Sequence, residues 1–209
     1  MTKLLYVQAS PRQDRSRSIQ VADAFVDAYV AAHVDDEVQT LSLFEADLPA
    51  FDGLAVQAKY TILNGQMHPA AESEAWRAVE KVVVQFKSAQ KYVLAVPMWN
   101  FSIPYRLKHY IDLLVQPGYT FSYDPQTQYA GMLKDRRVFV VYARGGDYTD
   151  PHPPPFEFQK SYLAAILGFI GLTDTQSVTV EPTVIGNQAL RQERLAAAIA
   201  EARNIAKTF

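Results

Sequence analysis

The sequence predicts an α/β fold, a doubly wound five-stranded parallel sheet with helices on both faces. Two observations carry this reading. Three short runs are apolar throughout rather than alternating, "LLYVQA" (Leu4–Ala9), "YVLAVP" (Tyr92–Pro97) and "VFVVYA" (Val138–Ala143), as strands covered on both faces should be. Helix-period stripes fall between these runs, and strands alternating with helices close into a parallel sheet through right-handed crossovers. Weaker runs at "VQTLSL" (Val38–Leu43) and "SVTV" (Ser177–Val180) raise the strands to five, for which 2-1-3-4-5 is a usual order.

The elements follow in chain order. The first strand runs into "SPRQDRSRS" (Ser10–Ser18), after which Ile19, Ala22, Val26 and Tyr29 form one helical stripe. Beyond the second strand, Leu48–Pro69 fits no regular element, and Glu72–Ser88 then carries Trp76, Val79, Val83 and Phe86 at helical spacing. The third strand ends in "PMWNFSIP" (Pro97–Pro104). Pro104 suits a first helical turn, and Leu107, Tyr110, Ile111 and Leu114 line one face behind it. Gln116–Lys134 again fits no regular element. The fourth strand leads into "ARGGDY" (Ala143–Tyr148) and a proline cluster, "DPHPPP" (Asp150–Pro155). "FQKSYLAAILGFIG" is apolar over much of its circumference and is expected to be buried in the domain or against a partner. A last stripe, Leu195, Ala198, Ile199, Ala202 and Ile205, follows the fifth strand. Loops of this length in a compact domain are usually functional or structured by something else.

Composition narrows the classes. A chain of 209 residues, 49% hydrophobic and 20% charged, is read as a single globular domain over residues 1–209. A formal net charge of −2 supplies no field to recruit nucleic acid or an anionic membrane. No cysteine is present, which excludes disulfides, thiolate catalysis and cysteine metal sites and fits a cytoplasmic setting. The N-terminus lacks a signal-peptide pattern, and no stretch approaches the ~20 apolar residues of a membrane span. His33, His68, His109 and His152 are scattered, so no metal site is expected.

In an open α/β sheet, ligands sit beyond the carboxyl ends of the strands, near the reversal of strand order. The loops after strands one, three and four are therefore read together. The first places Ser10, Ser16 and Ser18 where a helix begins, so that hydroxyls, free N–H groups and the helix dipole make a metal-free seat for a phosphate monoester. Alternatively Ser16 and Ser18 only cap the helix. The second loop sets Met98, Trp99 and Phe101 around the amide of Asn100, which suits a flat heterocycle with a polar edge or, more blandly, core aromatics and a turn. In the third, Gly145 and Gly146 beside Arg144 let backbone N–H groups reach a ligand edge, or merely make a tight turn. A phosphate seat, a ring slot and an amide-lined edge together match FMN.

At these residues the chain resembles the FMN-dependent NADH:azoreductase and quinone reductase family, which has a flavodoxin-like fold. The resemblance lies in "SPR" followed by "SRS", in "PMWNFSIP", in "RGG" and in "YLAAILGFIGLTD" (Tyr162–Asp174), with weaker likeness at "LPAFDG" and "YTFSY". It implies phosphate contacts from Ser10, Ser16, Arg17 and Ser18. Ring contacts are implied from Met98, Trp99, Asn100 and Phe101, with others from Ala143, Arg144, Gly145 and Gly146. It further implies a homodimer with flavin sites at the interface, NADH or NADPH as donor, and ping-pong hydride transfer to quinones or azo compounds. Trp99 and Ala143 depart from the tyrosine and serine many relatives carry, which bears on acceptor preference.

In this reading the flavin does the chemistry and no side chain is obliged to act as acid or base. Tyr123 and Phe156 are expected to line the acceptor pocket. Arg12, Arg15 and Lys59 either meet a donor 2′-phosphate or stand as solvated charges. Three rivals remain: an electron carrier without turnover, a hydrolase using Ser10 with His152 or His109, and a flavin-free interaction module. A pI near 6.1 with 20 basic against 22 acidic residues weighs against the carrier, and no G-x-S-x-G supports the hydrolase.

Overall fold

The computed structural model describes residues 1–63, 70–149 and 156–209. His68, His152 and the Asp150–Pro155 cluster lie outside the described residues, as does the end of Leu48–Pro69. The first half runs β1 (Lys3–Gln8), α1 (Arg17–Ala32), β2 (Glu37–Ser42), α2 (Gly53–Leu63), α3 (Ala70–Lys87) and β3 (Lys91–Pro97). The second runs α4 (Tyr105–Leu114), β4 (Phe121–Asp124), β5 (Gln128–Gly131), β6 (Arg137–Ala143), α5 (Gln159–Phe169), β7 (Asp174–Val180) and α6 (Gln188–Ala206). The main sheet has the order β2-β1-β3-β6-β7, and every pair in it is parallel. This is the predicted 2-1-3-4-5 arrangement, with β6 and β7 as the fourth and fifth strands.

Alternation along the strands divides the core in two. Leu4, Tyr6, Val93, Ala95, Phe139 and Val141 face α1 and α6. Leu5, Val7, Tyr92, Leu94, Val138 and Val140 face the layer built from α2 to α5. Ala198, Ala202 and Ala206 recur every fourth residue on α6 and are buried, so small side chains let that helix lie close to its neighbours. Phe25 stacks on Phe139 with ring centroids 4.2 Å apart. Among the described residues no helix is long and apolar enough to cross a membrane.

Two segments read as irregular are ordered. Within Leu48–Pro69, α2 starts where the Asp52 carboxylate accepts the Leu54 and Ala55 N–H groups at 3.0 and 3.3 Å. Among the described residues, the buried side chains on this helix are the small Ala55 and Ala58 and a threonine, Thr61, so they mark only a faint apolar stripe in the sequence. Within Gln116–Lys134, β4 and β5 pair as an antiparallel hairpin. Its turn is closed by Asp124, whose carboxylate accepts the Gln126 and Thr127 N–H groups. The helix expected to be buried in the domain or against a partner buries Leu163 and Leu167 and leaves Ala164, Ala165 and Gly168 exposed in the single chain.

The amino end of the sheet, opposite the strand ends that matter for function, is clamped by Asp36. Its carboxylate accepts hydrogen bonds from the Thr2 N–H at 2.7 Å and the Tyr29 hydroxyl at 2.5 Å. Lys91 approaches it at 3.7 Å and donates to the Tyr29 hydroxyl and the Phe209 carbonyl. The Tyr29 hydrogen bond, then that from Thr2 and the Lys91 charge, hold the Asp36 pKa down at about 2. A depressed carboxylate contributes stability that is complete above its unfolded pKa and fades as pH falls toward the folded value. Asp36→Asn is therefore expected to cost about 1–3 kcal/mol at neutral pH, and to flatten the loss of stability between about pH 4 and pH 2. Denaturant unfolding across that range checks both.

Candidate active site

The carboxyl ends of β1, β3, β6 and β7 come together around one cleft. Backbone bonds step across them: Ala9 N–H to Ala95 O (3.0 Å), Met98 N–H to Ala143 O (2.8 Å) and Arg144 N–H to Val180 O (3.1 Å). The cleft, about 160 Å³, is lined by Ser10, Arg12, Ser16, Arg17, Pro97, Met98, Trp99, Ala143, Gly145, Thr183 and Val184. Loops one, three and four thus meet as expected.

At the first loop, Arg12–Ser16 makes a tight 3-10 turn before α1 begins at Arg17. Ser16 is the N-cap residue, yet its side chain makes no capping hydrogen bond. Its hydroxyl instead meets that of Ser18 at 3.1 Å, and the two residues are 3% and 0% exposed. The pure capping reading is therefore not what the hydroxyl does. The amino end of α1 leaves its first N–H groups and the positive pole of its dipole beside these buried, rotatable hydroxyls. Such a seat takes an oxyanion without metal. Ser10 is also buried and accepts the Arg12 N–H at 3.3 Å.

The second loop turns sharply. Trp99 and Ser102 exchange backbone hydrogen bonds of 2.9 and 3.0 Å, with Asn100 (φ 46°) and Phe101 (φ 69°) between them in left-handed conformations. Two successive non-glycine residues there cost on the order of 1 kcal/mol or more each, a cost usually met at functional sites. The turn sends Trp99 into the cleft wall. Phe44 and Tyr105 brace its ring, at 5.6 and 6.3 Å between centroids. Asn100 and Phe101 stand at the exposed tip. A second, open groove of about 820 Å³ lies beyond Trp99, lined by Asn100, Tyr105, His109 and Asp112 among others. Asn100 therefore faces this groove.

The third loop is held from behind. The Arg144 guanidinium is 5% exposed and donates to Gln159 Oε1 (3.0 Å), Glu157 Oε1 (2.9 Å) and Glu181 Oε2 (3.5 Å). Glu157 also accepts the Gln159 and Lys160 N–H groups at the start of α5, Gln159 donates to the Val96 carbonyl, and Glu181 accepts the Tyr148 N–H. A buried carboxylate requires such a partner, and the guanidinium fork satisfies several acceptors at once. The Arg144 guanidinium is thus engaged in supporting the loop. Gly145 faces the cleft, while its carbonyl accepts the Val184 and Ile185 N–H groups.

Several expected residues fall outside the cleft lining. Ser18 sits behind Ser16, and Gly146 follows the lining glycine. Tyr123 lies exposed on the β4–β5 hairpin against Tyr129, and exposed Phe156 packs on Phe101 at 5.3 Å. Thr183 and Val184, after β7, also line the cleft; they lie outside the loops that flank the reversal of strand order, so no signal in the sequence marks them. His109 bonds the Pro49 carbonyl at 3.0 Å and is no partner of Ser10.

A family description, "Flavodoxin-like fold", matches residues 2–206. An FMN-dependent NADH:quinone oxidoreductase of Nitratidesulfovibrio vulgaris is 52% identical over 212 residues, with 100% of both chains covered. Another, of Desulfotalea psychrophila, is 42% identical over 99% of this chain and 97% of the relative. An azoreductase from Bacillus anthracis superposes with TM-score 0.91 at 32% identity, covering 100% of both chains. An FMN-dependent NADH-azoreductase of that species, solved in complex with FMN, gives 0.87 at 31%, covering 99% and 98%.

Replacing Arg144 by methionine would leave Glu157 and Glu181 without their common cation. Arg144→Met is expected to cost about 3–5 kcal/mol, the usual penalty for stripping one partner from buried ions, read as a lowered denaturant midpoint.

Proposed function

The chain belongs to the flavodoxin-like family of FMN-dependent NADH:quinone oxidoreductases, and from that premise we propose that it is an FMN-dependent NAD(P)H oxidoreductase acting on quinones and aromatic azo compounds. The observation that carries this reading is the α1 seat. Ser16 bears a buried hydroxyl at a helix amino end and does not cap it, and it opens on the same cleft as Met98, Trp99 and Gly145.

The residues present fit the cofactor. Ser10, Ser16, Arg17 and Ser18 supply hydroxyls, N–H groups and one positive charge for a phosphate monoester. Met98 and Trp99 form an apolar wall for the ring, with Asn100 and Phe101 at its rim. Ala143, Gly145 and Gly146 leave the β6 loop open for backbone contact, and Arg144 fixes that loop. When bound, FMN would supply the redox chemistry, a two-electron relay from NAD(P)H to the acceptor in ping-pong alternation. The chain binds and orients, and the N–H groups of the β6 loop favour extra negative charge at the ring edge nearest them. No side chain is assigned as a catalytic acid or base.

The protein is also read as a homodimer with its flavin sites at the interface. Support comes from the exposed Phe101, Tyr105, Phe156 and Phe158 and from the small, exposed Ala164, Ala165 and Gly168 on α5. Tyr123 and Phe156 are assigned to the acceptor pocket in that assembly, where each would stand at a shared rim.

Anaerobic titration of the yellow protein tests the reading. One equivalent of NADH is expected to bleach the flavin band, and a quinone to restore it; sustained turnover separates the enzyme from a pure electron carrier. Ser16→Ala with Ser18→Ala is expected to weaken FMN by at least tenfold, since a hydroxyl bonded to a charged group contributes about 1.5–3 kcal/mol. Equilibrium dialysis reads that loss. Unchanged retention would remove the phosphate from this seat.

A further inference from the structure

We propose that a basic cleft next to the flavin-phosphate seat binds a second phosphate group, carried by a nucleotide held together with the flavin. The cleft measures about 360 Å³ and is lined by Arg12, Arg15, Arg17, Thr183, Val184 and Arg191. It shares Arg12, Arg17, Thr183 and Val184 with the candidate active-site cleft, so the two are continuous. The inference rests on the flavin reading above for what fills the neighbouring seat.

Four arginines line this cleft, Arg12, Arg15 and Arg17 exposed and Arg191 partly buried. Among the described residues, none of the four forms an ion pair. Arg17 donates to the neutral Gln20 amide at 2.9 Å, and Arg191 to the Val184 and Gly186 carbonyls at 2.8 and 2.7 Å. These neutral partners orient two of the forks without cancelling their charge. Asp14 shares the turn with Arg15 but makes no ion pair with it among the described residues. Like charges around a concavity repel one another, and a doubly charged phosphate relieves that repulsion while matching the planar guanidinium geometry.

The seat at Ser16 already accounts for one phosphate, so the cleft is suited to a second. Two sources share this chemistry. One is the anhydride-linked second phosphate of a dinucleotide flavin, FAD, which continues outward from the first. The other is the 2′-phosphate of NADPH.

Arg15 lines the basic cleft but not the flavin-phosphate seat, which makes it the residue to change. Arg15→Ala and the charge reversal Arg15→Glu are compared with the unaltered protein in three measurements. Calorimetric titration with inorganic pyrophosphate reads the cleft whether or not flavin is bound; about tenfold weaker binding is expected for Arg15→Ala, the size of one charge-assisted hydrogen bond. A KM for NADPH raised about tenfold with the NADH value unchanged assigns the cleft to the donor. Weaker FAD binding to the flavin-stripped protein, with FMN binding unchanged, assigns it to the dinucleotide flavin. Unchanged pyrophosphate, FAD and NADPH behaviour in both variants, with FMN still held, overturns the cleft and leaves the flavin reading intact. An unaltered protein that refuses FMN overturns the flavin reading instead, and the pyrophosphate titration then decides the cleft alone.

Discussion

One buried guanidinium holds the functional end of this molecule together. Arg144 leaves the carboxyl end of β6 and reaches Glu157 and Gln159 at the start of α5 and Glu181 at the end of β7. Through Gln159 it is also tied to the Val96 carbonyl in β3. Three neighbouring strand ends and a helix start are thereby referred to one group. A network of this kind is stable only when every member is satisfied, so its geometry leaves little freedom. The diglycine loop that follows Arg144 inherits that rigidity, and its backbone faces the cleft without needing side chains to hold it in place.

The opposite wall depends on different physics. There the helix α1 supplies a field, and Ser16 a hydroxyl that the helix itself does not consume. Between these walls Trp99 is set by a left-handed turn and by aromatic contacts with Phe44 and Tyr105. A charged seat, a rigid amide edge and an apolar wall are thus produced by three loops whose anchors are independent. An arrangement preorganised in this way binds a ligand without first ordering itself.

The fold was legible because its central strands, β1, β3 and β6, are buried on both faces and therefore apolar without interruption. The segment α2 was not, since Ala55 and Ala58 carry too little hydrophobicity to mark a stripe; its only local sign was Asp52 as a cap. The short β4–β5 hairpin is mostly exposed and offers no alternation to read. Of the cleft lining, Ser16, Met98, Trp99, Ala143 and Gly145 stand in the loops at the strand ends beside the order reversal, where the sequence places a ligand. The supporting role of Arg144 was not legible, because its partners lie 13 and 37 residues away and only folding brings those carboxylates to it. Thr183 and Val184 were invisible for a similar reason: the chain after β7 doubles back to bond the carbonyls of Arg144 and Gly145.

The central claim is that the strand ends enclose an FMN whose phosphate rests on the amino end of α1. A crystal structure of the protein grown with FMN tests it most directly. The account requires phosphate density within hydrogen-bonding distance of the Ser16 hydroxyl and the first α1 N–H groups, with the ring against Trp99. Density for the phosphate elsewhere, or a cleft that stays empty at saturating FMN, would contradict it.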